Sequence, residues 1–292
     1  MAESEKWIDG RAIAAKIREE LKRKTESLKK AGIFPTLAVI LIGNNPASET
    51  YVRNKQRAAK EIGIGFQLYR YPADVEEWKI LERIDELNGD VSVHGILVQL
   101  PLPPHIRTDR IIRRIDPKKD VDGFHPVNIG NLMHGMEGLA PCTPLGIMTM
   151  LDEIGAEIRG KEAVVVGRSM IVGRPLAQML INRDATVTVC HSKTENLRFH
   201  TSRADLLIVA IGHPRFIREK DVKEGAIVID VGINRDENGK LCGDVAAEEV
   251  LPRVSRITPV PGGVGPMTIT MLLSNTLTSA ERLSGKGLQK VL

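Results

Sequence analysis

Cysteine is nearly missing from this 292-residue chain: Cys142, Cys190 and Cys242 are odd in number and far apart. That excludes a disulfide frame or a zinc knuckle and points to a reducing compartment. Aromatic residues make up only 3%, too few for a platform on which bases stack. The formal net charge is +4, too small a surplus for a nucleic-acid surface, so no nucleic-acid partner is expected. No apolar run reaches the roughly 20 residues that cross a bilayer, so no membrane partner is expected either. Residues 1–7 mix Glu and Lys before any apolar run, so no signal peptide is visible. The seven histidines form no pair at metal-ligand spacing, and no metal is expected. These absences predict a cytoplasmic protein. What is present is ordinary for a globular chain, 42% hydrophobic and 27% charged, long enough for two domains.

The most informative stretch is Glu162–Pro175, E-A-V-V-V-G-R-S-M-I-V-G-R-P. Ala163–Val166 has the apolar, β-branched character of a strand buried on both faces. Gly167 breaks it and Gly173 follows six residues later. Pro175 then suits the first turn of a helix that continues through Leu176, Ala177, Met179, Leu180 and Ile181. Strand, glycine turn and helix together aim backbone N–H groups at a phosphate. The glycines occupy the first and last positions of G-x-G-x-x-G, with Ser169 in the middle. The next strand, Thr186–Cys190, runs into His191, Ser192 and Lys193. An acid expected there for the ribose of NAD is absent. A hydroxyl and cations accept a 2′-phosphate, and Arg168 offers a planar fork of donors, so the pattern predicts NADP over NAD.

Elsewhere strands and helices alternate. Asp9 caps a helix with Ile13, Ile17, Leu21 and Leu28 on one face. Strands are expected at Thr36–Ile42, near Phe66–Tyr71 and at Gly95–Leu100. Helices are expected at about 48–62 and 75–88, with a short one at 109–115. This pattern predicts a small parallel α/β domain. Residues 118–125 read as too polar for core, and 141–146 as a connector before a helix at 147–154. Further strands at 206–211, 226–231 and 257–260 complete a doubly wound nucleotide-binding domain. Residues 259–266 look too rich in glycine and proline for any regular element. The helix after them is expected to return to the first domain.

Four residues of the first half could carry chemistry. Tyr51 and Lys55 are four apart on one helix face, which Ala58 and Ile62 continue. A lysine in apolar surroundings holds its proton less tightly and can act as a base; the other reading is a snorkelling side chain. Gln99 is the one polar residue closing an apolar strand, where open sheets bind ligands. Asp122 precedes Gly123 in an acidic turn and could be a simple turn residue. A Tyr-x-x-x-Lys pair also serves short-chain dehydrogenases, but there it follows the glycine turn. Here it precedes it by more than a hundred residues.

Taken together, these segments resemble the bifunctional methylenetetrahydrofolate dehydrogenase/methenyltetrahydrofolate cyclohydrolase family. They are Tyr51-Val52-x-x-Lys55, G-I-L-V-Q-L-P-L-P at 95–103, Lys119-Asp120-Val121-Asp122-Gly123-Phe124, P-C-T-P-x-G at 141–146, the glycine turn at 167–175 and P-V-P-G-G-V-G-P-M-T at 259–268. One departure is His213 in Gly212-His213-Pro214, where the family more often has Lys. The resemblance implies a two-domain α/β fold. Residues 1–140 and 268–292 would form the catalytic, folate-binding domain, and 141–267 a Rossmann-like NADP-binding domain. It implies oxidation of 5,10-methylenetetrahydrofolate with NADP+ and hydrolysis of the methenyl product to 10-formyltetrahydrofolate. No length remains for a formyltetrahydrofolate synthetase domain, so two activities are expected. It assigns catalysis to Lys55, Tyr51 and Gln99. Substrate binding falls to Asp122, Tyr51, Pro261, Gly262 and Gly263, and cofactor binding to Gly167, Arg168, Ser169, Gly173, Ser192 and Ile233. Tetrahydrofolate derivatives and a second copy of the chain, as a homodimer, are the implied partners. The nearest rival is a two-domain enzyme resembling shikimate dehydrogenase, against which the motifs around Gln99 and Asp122 argue. A noncatalytic NADP sensor is opposed by the presence of both Tyr51 and Lys55.

Overall fold

The computed structural model describes residues 3–285. Residues 1–2 and 286–292, which the expected domain ranges include, lie outside them. The chain divides into two compact units, one of Lys16–Cys142 with Ile269–Leu292, the other of Met1–Ala15 with Thr143–Thr268. Each is a parallel-sheet α/β unit.

The first unit begins within helix α1 (Gly10–Lys30), whose Asp9 carboxylate accepts from the N–H groups of Arg11 and Ala12 at 2.9 and 3.1 Å. Then follow β1 (Thr36–Ile42), α2 (Pro46–Ile62), β2 (Gly65–Tyr71), α3 (Glu77–Gly89), β3 (Gly95–Val98), α4 (Thr108–Arg114) and α5 (Pro126–Met133). The sheet order is β2-β1-β3, with Thr36 level with Gly65 and Leu37 with Gly95. The central strand β1 is apolar along most of its length and buried on both faces. Ala38, Ile40, Ile96 and Val98 pack there with Ile80, Ile84 and Ile111 from α3 and α4. Asn45 caps α2 through its side-chain oxygen, and Gly63 ends that helix at φ 81°.

Two expectations fail in this unit. Residues 118–125 are not a solvated turn: Lys119, Asp120 and Val121 are buried, and Ile96 N–H bonds Lys119 O at 2.8 Å beside β3. The Lys119 ammonium reaches the carbonyls of Leu87, Asn88 and Asp90 at 2.9, 2.9 and 2.7 Å, around the end of α3. Full donor satisfaction is what lets so polar a sequence sit inside. Helix α5 was also not anticipated. It starts at Pro126, whose missing N–H costs nothing in a first turn.

The second unit contains α6 (Cys142–Glu153), β4 (Glu162–Val166), α7 (Gly173–Ile181), β5 (Thr186–Cys190), α8 (Leu197–Thr201), β6 (Leu206–Val209) and β7 (Ile227–Asp230). A hairpin of β8 (Asn234–Arg235) and β9 (Leu241–Cys242) follows, then α9 (Ala247–Val250), β10 (Arg256–Ile257) and α10 (Val264–Leu283). Five parallel strands run in the order β10-β7-β6-β4-β5. The order reverses between β4 and β6, the place where doubly wound sheets bind ligands. Val164, Val166, Leu207, Val209, Val228 and Ile257 lead its core.

Here the expected connector at 141–146 is the first turn of α6, and α10 begins inside the glycine- and proline-rich stretch 259–266. Pro144 and Pro266 each stand at the third helical residue, where no N–H is required. The last strand is Arg256–Ile257 and not 257–260. Residues 3–15 group with this unit and not the first, because Trp7 bridges to Ile257 and Ile8 N–H bonds Ile257 O at 2.8 Å. From Ile269 onward α10 belongs to the first unit, as expected for a returning helix. No helix among the described residues is long and apolar enough to cross a membrane.

Candidate active site

In the first unit, Lys55, Gln99 and Asp122 gather at the carboxyl end of β3. Lys55 lies on the buried face of α2 with Val52, Ala58, Ala59 and Ile62, and only 8% of its surface is exposed. Its surroundings are not the apolar ones expected. Nζ donates to Gln99 Oε1 at 2.9 Å, and the charge acts on the Asp122 carboxyl. Gln99 lies one residue past β3, a small correction to the expected strand, and its N–H still bonds Ile40 O at 2.9 Å. Its side-chain Nε2 donates to Leu100 O at 2.6 Å. Both ends of the amide are therefore engaged, and a flipped amide would face Lys55 with another donor.

Asp122 comes two residues after Asp120, which bridges to Ile96. Burial raises its carboxyl from 3.8 to about 6, opposed by the Lys55 ammonium and reinforced by Asp120. The Cys142 thiol, pushed up well above its usual range by burial, stays a weak donor; it bonds Val121 O at 3.1 Å and also holds the Asp122 carboxylate. Asn275 of α10 donates to Val121 O at 2.9 Å and Ala140 O at 2.8 Å. Sequence reading missed Asn275 and the thiol. A lone Asn among the apolar residues of 267–278 was the available signal, since such a side chain must find partners. Tyr51 is 39% exposed, one turn before Lys55 on the same helix.

The remaining sequence candidates all lie in the second unit. Gly167 follows β4 at φ 125°, where any Cβ would overlap the Ala210 carbonyl; one at Gly173 would overlap Gly167 O. The turn is thus folded tightly on its own backbone and on the end of β6. Ser169 does not leave the helix N-terminus bare. Its Oγ accepts from the N–H groups of Val172 at 3.2 Å and Gly173 at 3.4 Å, at the start of α7. Val166 pairs with Cys190 and Gly167 N–H bonds Cys190 O at 2.8 Å, so Arg168 and Ser192 leave adjacent strands at the same level. Arg168 and Ser192 are exposed, and Arg168 makes no ion pair among the described residues. Ile233 is 51% exposed, after β7. Pro261, Gly262 and Gly263 immediately precede α10, and Gly262 has φ 114°. These three do not share a unit with Tyr51 and Asp122.

A three-stranded parallel unit with a lysine–amide–carboxylate cluster around the buried Lys55, joined in one chain to a doubly wound unit with a glycine turn, defines a two-domain α/β dehydrogenase class. Residues 8–122 match the tetrahydrofolate dehydrogenase/cyclohydrolase catalytic domain, and residues 141–284 match the NAD(P)-binding domain of the same family. The chain belongs to the tetrahydrofolate dehydrogenase/cyclohydrolase family. It is 57% identical over 274 residues to the bifunctional protein FolD of Halalkalibacterium halodurans, covering 94% of this chain and 98% of that protein. The crystal structure of the bifunctional FolD of Campylobacter jejuni superposes with TM-score 0.93 at 55% identity, covering 94% of this chain and 98% of that one. The Trypanosoma brucei enzyme, complexed with NADP and an inhibitor, superposes with TM-score 0.91 at 41% identity over 96% and 98% of the two chains.

Proposed function

We propose that the chain oxidises 5,10-methylenetetrahydrofolate with NADP+ and hydrolyses the methenyl product to 10-formyltetrahydrofolate, with Lys55 moving the protons of the second step. The observation that carries the division of labour is the Lys55–Gln99 hydrogen bond of 2.9 Å beside the half-buried Asp122 carboxyl.

The residues around the glycine turn fit a dinucleotide phosphate ester. Gly167 and Gly173 keep the turn free of side chains, Arg168 has no acidic partner among the described residues, and β5 ends at Cys190, followed by His191 and Ser192 without a carboxylate. Arg168 and Ser192 would hold the 2′-phosphate, while Gly167, Ser169, Gly173 and Ile233 line the approach. Bound NADP+ supplies the acceptor for the hydride. Loss of a hydride from the methylene bridge leaves a cation shared by two folate nitrogens, so no side chain has to remove a proton with it. The protein's part in that step is alignment.

Hydrolysis asks more. Water adds to the methenyl carbon and loses both its protons as the carbonyl forms, one passing to the folate nitrogen whose bond to that carbon opens and the other to solvent. A positioned acid–base group serves both transfers. Gln99 holds the Lys55 amine in place, and Asp122, when ionised, accepts from N–H groups of the pterin. Tyr51 offers a ring for the pterin on the same helix face, and Pro261, Gly262 and Gly263 supply backbone to the substrate. The domain reading is that residues 1–140 and 268–292 serve folate and 141–267 serve NADP. The assembly reading is a homodimer: β5 is an edge strand with Val189 exposed, and Met170, Ile171 and Phe199 of the same unit are also exposed. Light scattering at micromolar protein checks it. The chemical reading is tested by mixing purified protein, NADP+ and methylenetetrahydrofolate and following methenyl and formyl products separately. Absence of either product defeats the corresponding half.

A further inference from the structure

We propose that Asp244 is a positioning residue for the dinucleotide, holding the segment after β6 and the hairpin after β7 in the shape the cofactor requires. This rests on the NADP reading above.

Asp244 is fully buried, yet its carboxylate bonds go to three successive loop amides and to Asn234 at the start of β8. Its Oδ2 accepts from the N–H groups of Ile211 and Gly212 at 2.7 and 3.0 Å, and its Oδ1 from His213 N–H at 2.8 Å and Asn234 Nδ2 at 2.8 Å. Three successive amides of one loop converging on one carboxylate is the concave arrangement that otherwise holds an external anion. Here the protein supplies the anion itself. Four donors use the roughly four lone-pair sites a carboxylate offers.

The carboxylate is itself held in place. Asp230, the last residue of β7, accepts from Gly232 N–H at 3.0 Å, Asp244 N–H at 2.9 Å and Val245 N–H at 2.9 Å. A Cβ at Gly243 would overlap the Asp230 carboxylate, and one at Gly232 would overlap that of Asp244. Both glycines therefore make room for an acid. Asp230 fixes the backbone that carries Asp244, and Asp244 fixes residues 211–213 together with Asn234, the neighbour of Ile233. Those segments leave the carboxyl ends of β6 and β7, and Ala210 packs directly on Gly167 at the order reversal of the sheet. A ligand at that position reads the loop conformation Asp244 sets.

In Asp244→Asn one oxygen becomes an NH2 facing N–H donors, so part of the loop loses its acceptor. The bifunctional enzyme contains its own control, because hydrolysis of supplied methenyltetrahydrofolate needs no dinucleotide. We expect the calorimetric Kd for NADP+ and the dehydrogenase KM for NADP+ to rise at least about tenfold in Asp244→Asn, with hydrolysis within about twofold of wild type. Asn234→Ala, which removes a single bond, should shift the same two constants by about threefold. If Asp244→Asn does not fold, Asn234→Ala decides. An unchanged Kd for NADP+ in the folded variants, or parallel loss of both activities, overturns the role. Failure of the wild-type chain to bind NADP+ would instead remove the cofactor reading on which the role stands.

Discussion

The two candidate sites of this chain are built in opposite ways. In the first unit the proposed chemistry rests on side chains that are buried or half-buried and engaged with one another: Lys55 on Gln99, Gln99 on Leu100 O, and Asp122 between the Lys55 charge and the Cys142 thiol. In the second, the proposed cofactor face is backbone and exposed side chains, with glycines where strands turn and Arg168 and Ser192 open to solvent. Proton transfer needs groups fixed to a fraction of an ångström in a shielded setting. Gripping a phosphate needs donors that can be reached. The difference in burial follows from that difference in task.

The sharpest way to break this contrast is Lys55→Met. Hydrolysis should fall by about 10²–10⁴-fold, the usual weight of a general acid–base group, while measurable dehydrogenation remains. Equal loss of both activities with folate binding intact would mean that the lysine does not serve one step alone. Next in size is Arg168→Ala. Removing a charge-assisted contact should raise KM for NADP+ by about 10–100-fold and leave KM for NAD+ nearly unchanged. A preserved ratio between the two cofactors would take Arg168 out of the phosphate site.

The smallest effect sharpens the role of burial at Asp122. Its folded carboxyl sits at about 6 against 3.8 for the free group, so the folded chain holds that proton more tightly than the unfolded chain does. Its contribution to stability is complete below about pH 4 and is lost as the pH rises through 6. Asp122→Asn should therefore melt higher relative to wild type at pH 8 than at pH 4. Wild-type KM for the folate should climb as the pH falls through 6, and the variant should lack that limb. A melting difference independent of pH would refute the assignment.

Much of this was legible in the sequence, and the failures share a cause. β1 and β5 are bounded correctly from sequence: both are apolar runs with β-branched residues, β1 set off by Pro35 and Gly43 and β5 by the polar stretches on either side. Pro175 reads from sequence as a first-turn residue, whereas the stretches holding Pro144 and Pro266 read as a connector and as too breaker-rich for regular structure, although both prolines take the same helical position in α6 and α10. Nothing local separates the two uses of proline; the surrounding carbonyls decide. Lys119 and Asp120 looked solvated because their partners come from elsewhere in the chain: the end of α3 for the lysine, and for the aspartate His125 N–H at 2.7 Å and Asn128 Nδ2 at 2.9 Å. Asn275 and Asp244 went unnoticed for the same reason. Each is one polar residue whose importance lies in backbone groups far along the chain.

The Lys119 amine has a chemical corollary. Burial lowers its proton affinity, which favours the reactive free amine, yet it is only 4% exposed and spends its N–H bonds on three carbonyls. Acylating reagents can reach it only after the end of α3 lets go. Its reaction rate therefore meters how often that corner of the molecule opens.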